Sequence, residues 1–211
     1  MRKLKTKRKV LVIFTIFAIA TLACCIGYAV SNDSIANLFG KKHAEVLKNA
    51  GDDIVATVDG EKITKKGFDT YKLFLSNSKD DMSDQQILDK IIERNILYDL
   101  AIKESYSASD SELSSVIKTA QDVIKSDSQQ YEAFKEYLIG LSMSEDEYWE
   151  IVIPAYEKAV TCGKYKKALK ENFKKENKIV DEEELNTKFN DFYNQKVKNA
   201  KSKLKVETYF K

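Results

Sequence analysis

The chain offers few residues for catalytic chemistry and many for apolar contact. Its 211 residues include one histidine and three cysteines. His43 is therefore the single candidate for imidazole acid–base work. No nucleophile stands beside it in a recognisable motif, so a solvated residue on a helix is the expected role. Cys162 lies in the apolar run Ala159-Val160-Thr161-Cys162-Gly163. A reactive thiol needs an electropositive, accessible setting, and a buried free cysteine is the commoner outcome. Carboxylates cluster in Glu145-Asp146-Glu147 and from Asp181 to Glu184. Such runs usually open helices, where the dipole favours them. No phosphate-cradling glycine loop, HExxH, Cys-x-x-Cys or serine elbow is present, so the sequence predicts no enzyme, no cofactor and no metal site.

Aromatic residues are the richer set, with 11 Tyr, 10 Phe and one Trp. Phe134 and Tyr137 share one predicted helix with Tyr131. Tyr148, Trp149 and Tyr156 share the next, where Trp149, Val152, Tyr156 and Ala159 recur at helical spacing. Such a face is ordinarily core. The functional alternative is a groove for apolar polypeptide segments, for which tyrosine supplies a large rigid ring with a polar tip. Phe134, Tyr137, Tyr148, Trp149 and Tyr156 are the candidate peptide-binding residues on that reading.

The elements that position these residues announce themselves by their ends. Ile54–Val58, the Asp59-Gly60 pair and Glu61–Thr64 read as a β-hairpin with a two-residue turn. Thr64 caps a helix carrying Phe68, Tyr71, Leu73, Phe74 and Leu75. Ser83-x-x-Gln86, Ser109-x-x-Glu112, Ser144-x-x-Glu147 and Asp181-x-x-Glu184 each place a cap three residues before a reciprocating side chain. A short helix through Tyr131 to Leu138 is expected to stop at Gly140. The helix over 144–175 contains the sole proline, Pro154, and a kink is expected near 150–154 because proline removes a backbone donor. Residues 181–203 form a charged helix, and Leu204 to Phe210 alternates like a strand able to pair with 54–58. The fold class expected is mainly α, with a small β element.

The balanced net charge of +2 hides an asymmetry. Residues 1–9 carry six cations, and 1–30 contain no acid. The remainder holds 29 bases and 33 acids, a charge of −4, which argues against nucleic acid as a partner. Val10 to Val30 is 21 residues without a charge, about 31 Å as a helix and long enough to span a bilayer. With the cations retained inside the cell, residues 1–30 read as a basic stub and transmembrane signal-anchor. Residues 31–53, including a helix from Asp33 to Asn49, read as a membrane-proximal spacer. Residues 31–211 are then extracytoplasmic, with 54–211 as the main domain. Two alternatives follow from the same segment. Cys24 and Cys25 come near a lipobox, giving a lipoprotein, and Gly27-Tyr28-Ala29 offers a site for cleavage and secretion.

Ile54-Val55-Ala56-Thr57-Val58-Asp59-Gly60-Glu61-Lys62-Ile63-Thr64 resembles the opening strand-turn of the SurA/PrsA type of extracytoplasmic foldase, with Asp59 in place of the usual Asn. Gln85 to Glu104 resembles the helix that follows in that family. Tyr106 to Leu113 resembles its connector into the next helix, and Lys178 to Leu185 the lead-in to the last. The resemblance covers roughly 54–205 and implies a SurA N-terminal-like chaperone domain whose partners are unfolded or secreted polypeptides. Many members carry a parvulin domain that works on prolyl bonds with His and Cys or Asp. The lone His43 cannot supply that site, so isomerase activity is not expected. A tethered helical adaptor that docks one protein partner is the rival from a different class.

Overall fold

A computed structural model describes residues 34–49, 53–75 and 82–209. The apolar segment 10–30, with Cys24 and Cys25, lies outside the described residues. Helix α1 spans Ile35–Asn49, followed by strands β1 (Ile54–Val58) and β2 (Glu61–Thr64). Then come α2 (Lys65–Leu75), α3 (Asp84–Lys103), α4 (Asp110–Ser126), α5 (Ser128–Leu141), α6 (Glu145–Glu176), α7 (Glu182–Lys201) and β3 (Val206–Thr208). The architecture is mainly helical with a three-stranded antiparallel sheet of order β2-β1-β3. No helix of the described residues is long and apolar enough to cross a membrane.

The hairpin forms because its turn residues tolerate positive φ. Asp59 sits at φ 50° and Gly60 at φ 87°, the left-handed pair that a two-residue turn requires. The C-terminal strand closes on the same hairpin. Val58 pairs with Val206, and Lys205 N–H donates to the Asp59 carboxylate at 2.7 Å. Caps fix the helix starts. Ser83, Ser109 and Ser144 each close a full capping box with the residue three further on, satisfying amides that the first turn leaves unpaired. Asp181 accepts from Glu184 N–H at 2.8 Å, Thr64 Oγ1 from Gly67 N–H at 3.2 Å, and Ser34 Oγ from Asn37 N–H at 3.1 Å.

Three buried clusters hold the elements together. One joins α1, α4, α5 and the start of α6 around Phe39, Phe134, Tyr137 and Trp149. A second packs the hairpin and α2 against Ile87, Leu88, Ile92 and Ile96 of α3. The third joins the end of α3, the C-terminal half of α6 and α7 around Tyr165, Leu185 and Phe189. Leu100 packs against both the second and the third.

Two features differ from expectation. Gly140 does not end α5, which runs to Leu141 and turns at Ser142 in the left-handed region, φ 56°. The glycine is used for its missing side chain. A Cβ on Gly140 would lie 2.1 Å from the Asn37 carbonyl oxygen, and one on Gly40 would lie 2.2 Å from the Tyr137 carbonyl oxygen. Backbones of α1 and α5 therefore touch, and α1, expected as a spacer, is packed into the first cluster. The long helix expected to contain Pro154 is found as α6, with the proline at an exposed position within it.

Candidate functional site

His43 follows from that close packing. It is buried on α1, and its Nδ1 shares a hydrogen bond of 2.7 Å with the Tyr137 hydroxyl of α5. Its ring meets Phe74 in a T-shaped arrangement, with centroids 5.0 Å apart. Nε2 finds no partner among the described residues. Burial pulls its pKa from 6.5 down to about 4, because an imidazolium loses its solvation there. The imidazole is thus a neutral, packed ring, not the solvated residue expected.

Cys162 is half-buried on α6. Burial pushes its thiol up, and Asp99 adds to this, while Arg94 and Lys158 pull the other way. The net direction keeps the sulfur protonated, away from the thiolate that reactivity requires. Lys164, close in sequence, is engaged elsewhere. Its Nζ donates to the Ser107 carbonyl at 2.7 Å and to Glu112 at 2.8 Å. That hydrogen bond, with those from Ser109, holds the Glu112 carboxyl down at about 2. Among the described residues no three His, Cys, Asp or Glu side chains are grouped to hold a metal ion.

The five aromatic candidates come together. Phe134 lies 5.1 Å from Tyr148 and 5.9 Å from Trp149, centroid to centroid. Trp149 lies 6.3 Å from Tyr156, and Tyr137 lies 6.1 Å from Tyr148. Edge and tilted geometries of this kind are the favoured ones for ring pairs. Phe134, Tyr137 and Trp149 are 3%, 3% and 6% exposed, so these three rings face the protein interior and not solvent. Tyr148 and Tyr156 are partly buried against the same cluster. Burial pushes the Tyr156 hydroxyl up to about 12.

An open concave surface lies beside this cluster, between α4 and α6, and Ile117 of α4 borders both. A groove of about 560 Å³ runs between α4 and α6, floored by Leu113 and Ile117 of α4 and Ile153 of α6. The two helices are antiparallel: Lys125 pairs with Glu145 at one end at 2.7 Å, and Lys164 with Glu112 at the other at 2.8 Å. Asp110, Lys118 and Asp122 line the rim. Ile153 is 38% exposed. Leu113, Ile117 and Ile153 escape attention in the sequence because nothing marks them apart from ordinary helix-face aliphatics. A smaller groove of about 360 Å³ lies between α3 and α7, lined by Leu100, Phe192 and Ala200 with Lys196 and Lys203 beside them.

Comparison with known proteins bears on what such a module is for. The chain matches the SurA-like N-terminal domain family over residues 1–138. It belongs to that family. The match covers the hairpin and the helices through most of α5; it extends further toward the N-terminus than the resemblance read from residues 54–205 and does not reach its part beyond 138. No curated protein and no solved structure matches the chain. That family is of the chaperone type.

Proposed function

We propose that the protein is a membrane-anchored, extracytoplasmic chaperone-like module that binds unfolded or newly translocated polypeptides without catalysing a reaction. The observation that carries the reading is membership in the SurA-like N-terminal domain family. The uncharged run Val10–Val30 behind six cations supports the anchor, by the length and positive-inside rules. The mechanism is non-covalent. Apolar surface on the outer domain covers apolar client segments for as long as they lack a fold, and a charged exterior keeps the pair in solution. Affinity for any one client is low and the range of clients wide, because an adaptable aliphatic surface discriminates little.

The test uses the full chain reconstituted in lipid nanodiscs, added to a reduced, unfolding client whose aggregation is followed by light scattering. A several-fold excess suppresses scattering relative to empty nanodiscs if the reading holds. Scattering equal to that with empty nanodiscs overturns it. Cross-linking at the cell surface separates the rival reading, since one dominant partner would make the protein an adaptor. Turnover of a prolyl peptide above the uncatalysed rate would contradict the non-catalytic mechanism.

A further inference from the structure

The α4/α6 groove carries a charge pattern with a definite spacing. Asp110 and Asp122 line its two ends and are twelve residues apart on one helix, about 18 Å at 1.5 Å per residue. Between them the floor is apolar, Leu113 and Ile117 being one helical turn apart and facing Ile153. On α6, Asp146 and Glu150 precede Ile153 by seven and three residues, which puts both acids on its helical stripe. The neighbouring pairs Lys125–Glu145 and Lys164–Glu112 are each neutral overall, although Lys125 also feels the Asp122 carboxylate beside it. Lys118 is the one cation among the lining residues, so the groove and its rim are net acidic.

We propose that this groove takes an extended polypeptide segment with an apolar middle and a lysine or arginine at each end. An extended chain advances about 3.3 Å per residue, so 18 Å corresponds to cationic ends about five or six residues apart. The aliphatic floor then covers the side chains between them, and each terminal cation meets a carboxylate. This occupant is chosen over a neutral or acidic segment by the sign of the rim. The inference rests on the client-binding reading above and assigns that reading a place and a preference.

The experiment measures binding of fluorescent peptides to the full chain in nanodiscs by anisotropy. The peptides share a five-residue apolar core and carry Lys, Ser or Glu at both ends. At low salt the Lys-ended peptide binds roughly tenfold more tightly than the Glu-ended one, since two exposed ion pairs replace two like-charge contacts. The gap narrows at 0.5 M salt, where screening is strong. The double variant Asp110→Lys and Asp122→Lys reverses the order, Lys118→Glu widens it, and Ile153→Ser weakens every peptide. Lengthening the core to ten residues removes the advantage of the Lys ends. Equal binding of all three peptides, or an order that the double variant leaves unchanged, overturns the groove assignment. If aggregation suppression persists in that case, the chaperone reading stands and only its location fails. Loss of both peptide binding and suppression in the unsubstituted protein overturns both.

Discussion

The aromatic cluster at α1, α5 and α6 and the aliphatic groove between α4 and α6 are two opposite uses of apolar side chains in one small domain. In the cluster, Gly40 and Gly140 let two helix backbones touch, and the rings of Phe39, Phe134, Tyr137 and Trp149 fill what remains. In the groove, α4 and α6 are joined at both ends by ion pairs and leave Leu113, Ile117 and Ile153 around open space. The difference teaches that residue size does not identify a binding surface. Large rings were absorbed by the contact that most needed filling, and the concave surface was left to aliphatics with charged neighbours.

Substitution of the contact glycines is the strongest way to break this contrast. Gly140→Leu drives a side chain into the Asn37 carbonyl and should destabilise the domain by about 3 kcal/mol or more, overpacking that rigid backbone cannot relieve. Urea denaturation followed by the fluorescence of Trp149, the single tryptophan, reads it directly. A groove substitution such as Ile153→Ser should leave the same curve within about 1 kcal/mol, as expected for a partly exposed aliphatic.

Acid tests the cluster next. His43 has a folded pKa of about 4 against 6.5 for the free side chain. Above pH 6.5 both folded and unfolded states hold it neutral, and it makes no difference. As pH falls from 6.5 toward 4 the unfolded chain takes up a proton that the folded one refuses. Stability therefore drops across that window, by about 3 kcal/mol from this residue alone. His43→Phe should flatten that portion of a stability-against-pH curve. An unchanged slope would mean that the ring is solvated or that another group dominates.

Smaller effects are expected at the helix starts and on the rim. Ser109→Ala and Ser144→Ala each open a capping box and should cost about 1 kcal/mol, measured by thermal denaturation. Asp110→Asn and Asp122→Asn should shift stability by less than about 0.5 kcal/mol, while weakening Lys-ended peptides. A large loss of stability from either rim substitution would show that the carboxylates serve the fold and not a ligand.

Local chemistry was legible in the sequence wherever a few adjacent residues decide the outcome. Asp59-Gly60 specifies its turn through backbone sterics, and the three serine boxes specify helix starts through unpaired amides. The pairing of the last strand with β1 followed from alternation in Leu204 to Phe210. What opposes a helical face is a different matter. Periodicity groups Trp149, Val152 and Tyr156 on one side of α6 but does not say that α5 closes over them. Gly140 near the end of an apolar run reads as a stop signal, although its use is contact with Asn37. His43 reads as solvated while α1 is taken for a spacer, and it is the packing of α1 against α5 and Phe74 of α2 that buries it. The groove was illegible for the same reason: Leu113 and Ile117 line it only because α6, tied by ion pairs to both ends of α4, runs antiparallel beside them.

The most direct test places a photo-cross-linking amino acid in the full chain, at Ser114 or Lys118 beside the groove in two variants and at Tyr156 beside the aromatic cluster in a third. Each is illuminated in nanodiscs with an unfolding client. Adducts at Ser114 and Lys118, with few at Tyr156, are the result predicted here. Adducts concentrated at Tyr156, or none at any of the three positions, would contradict the account.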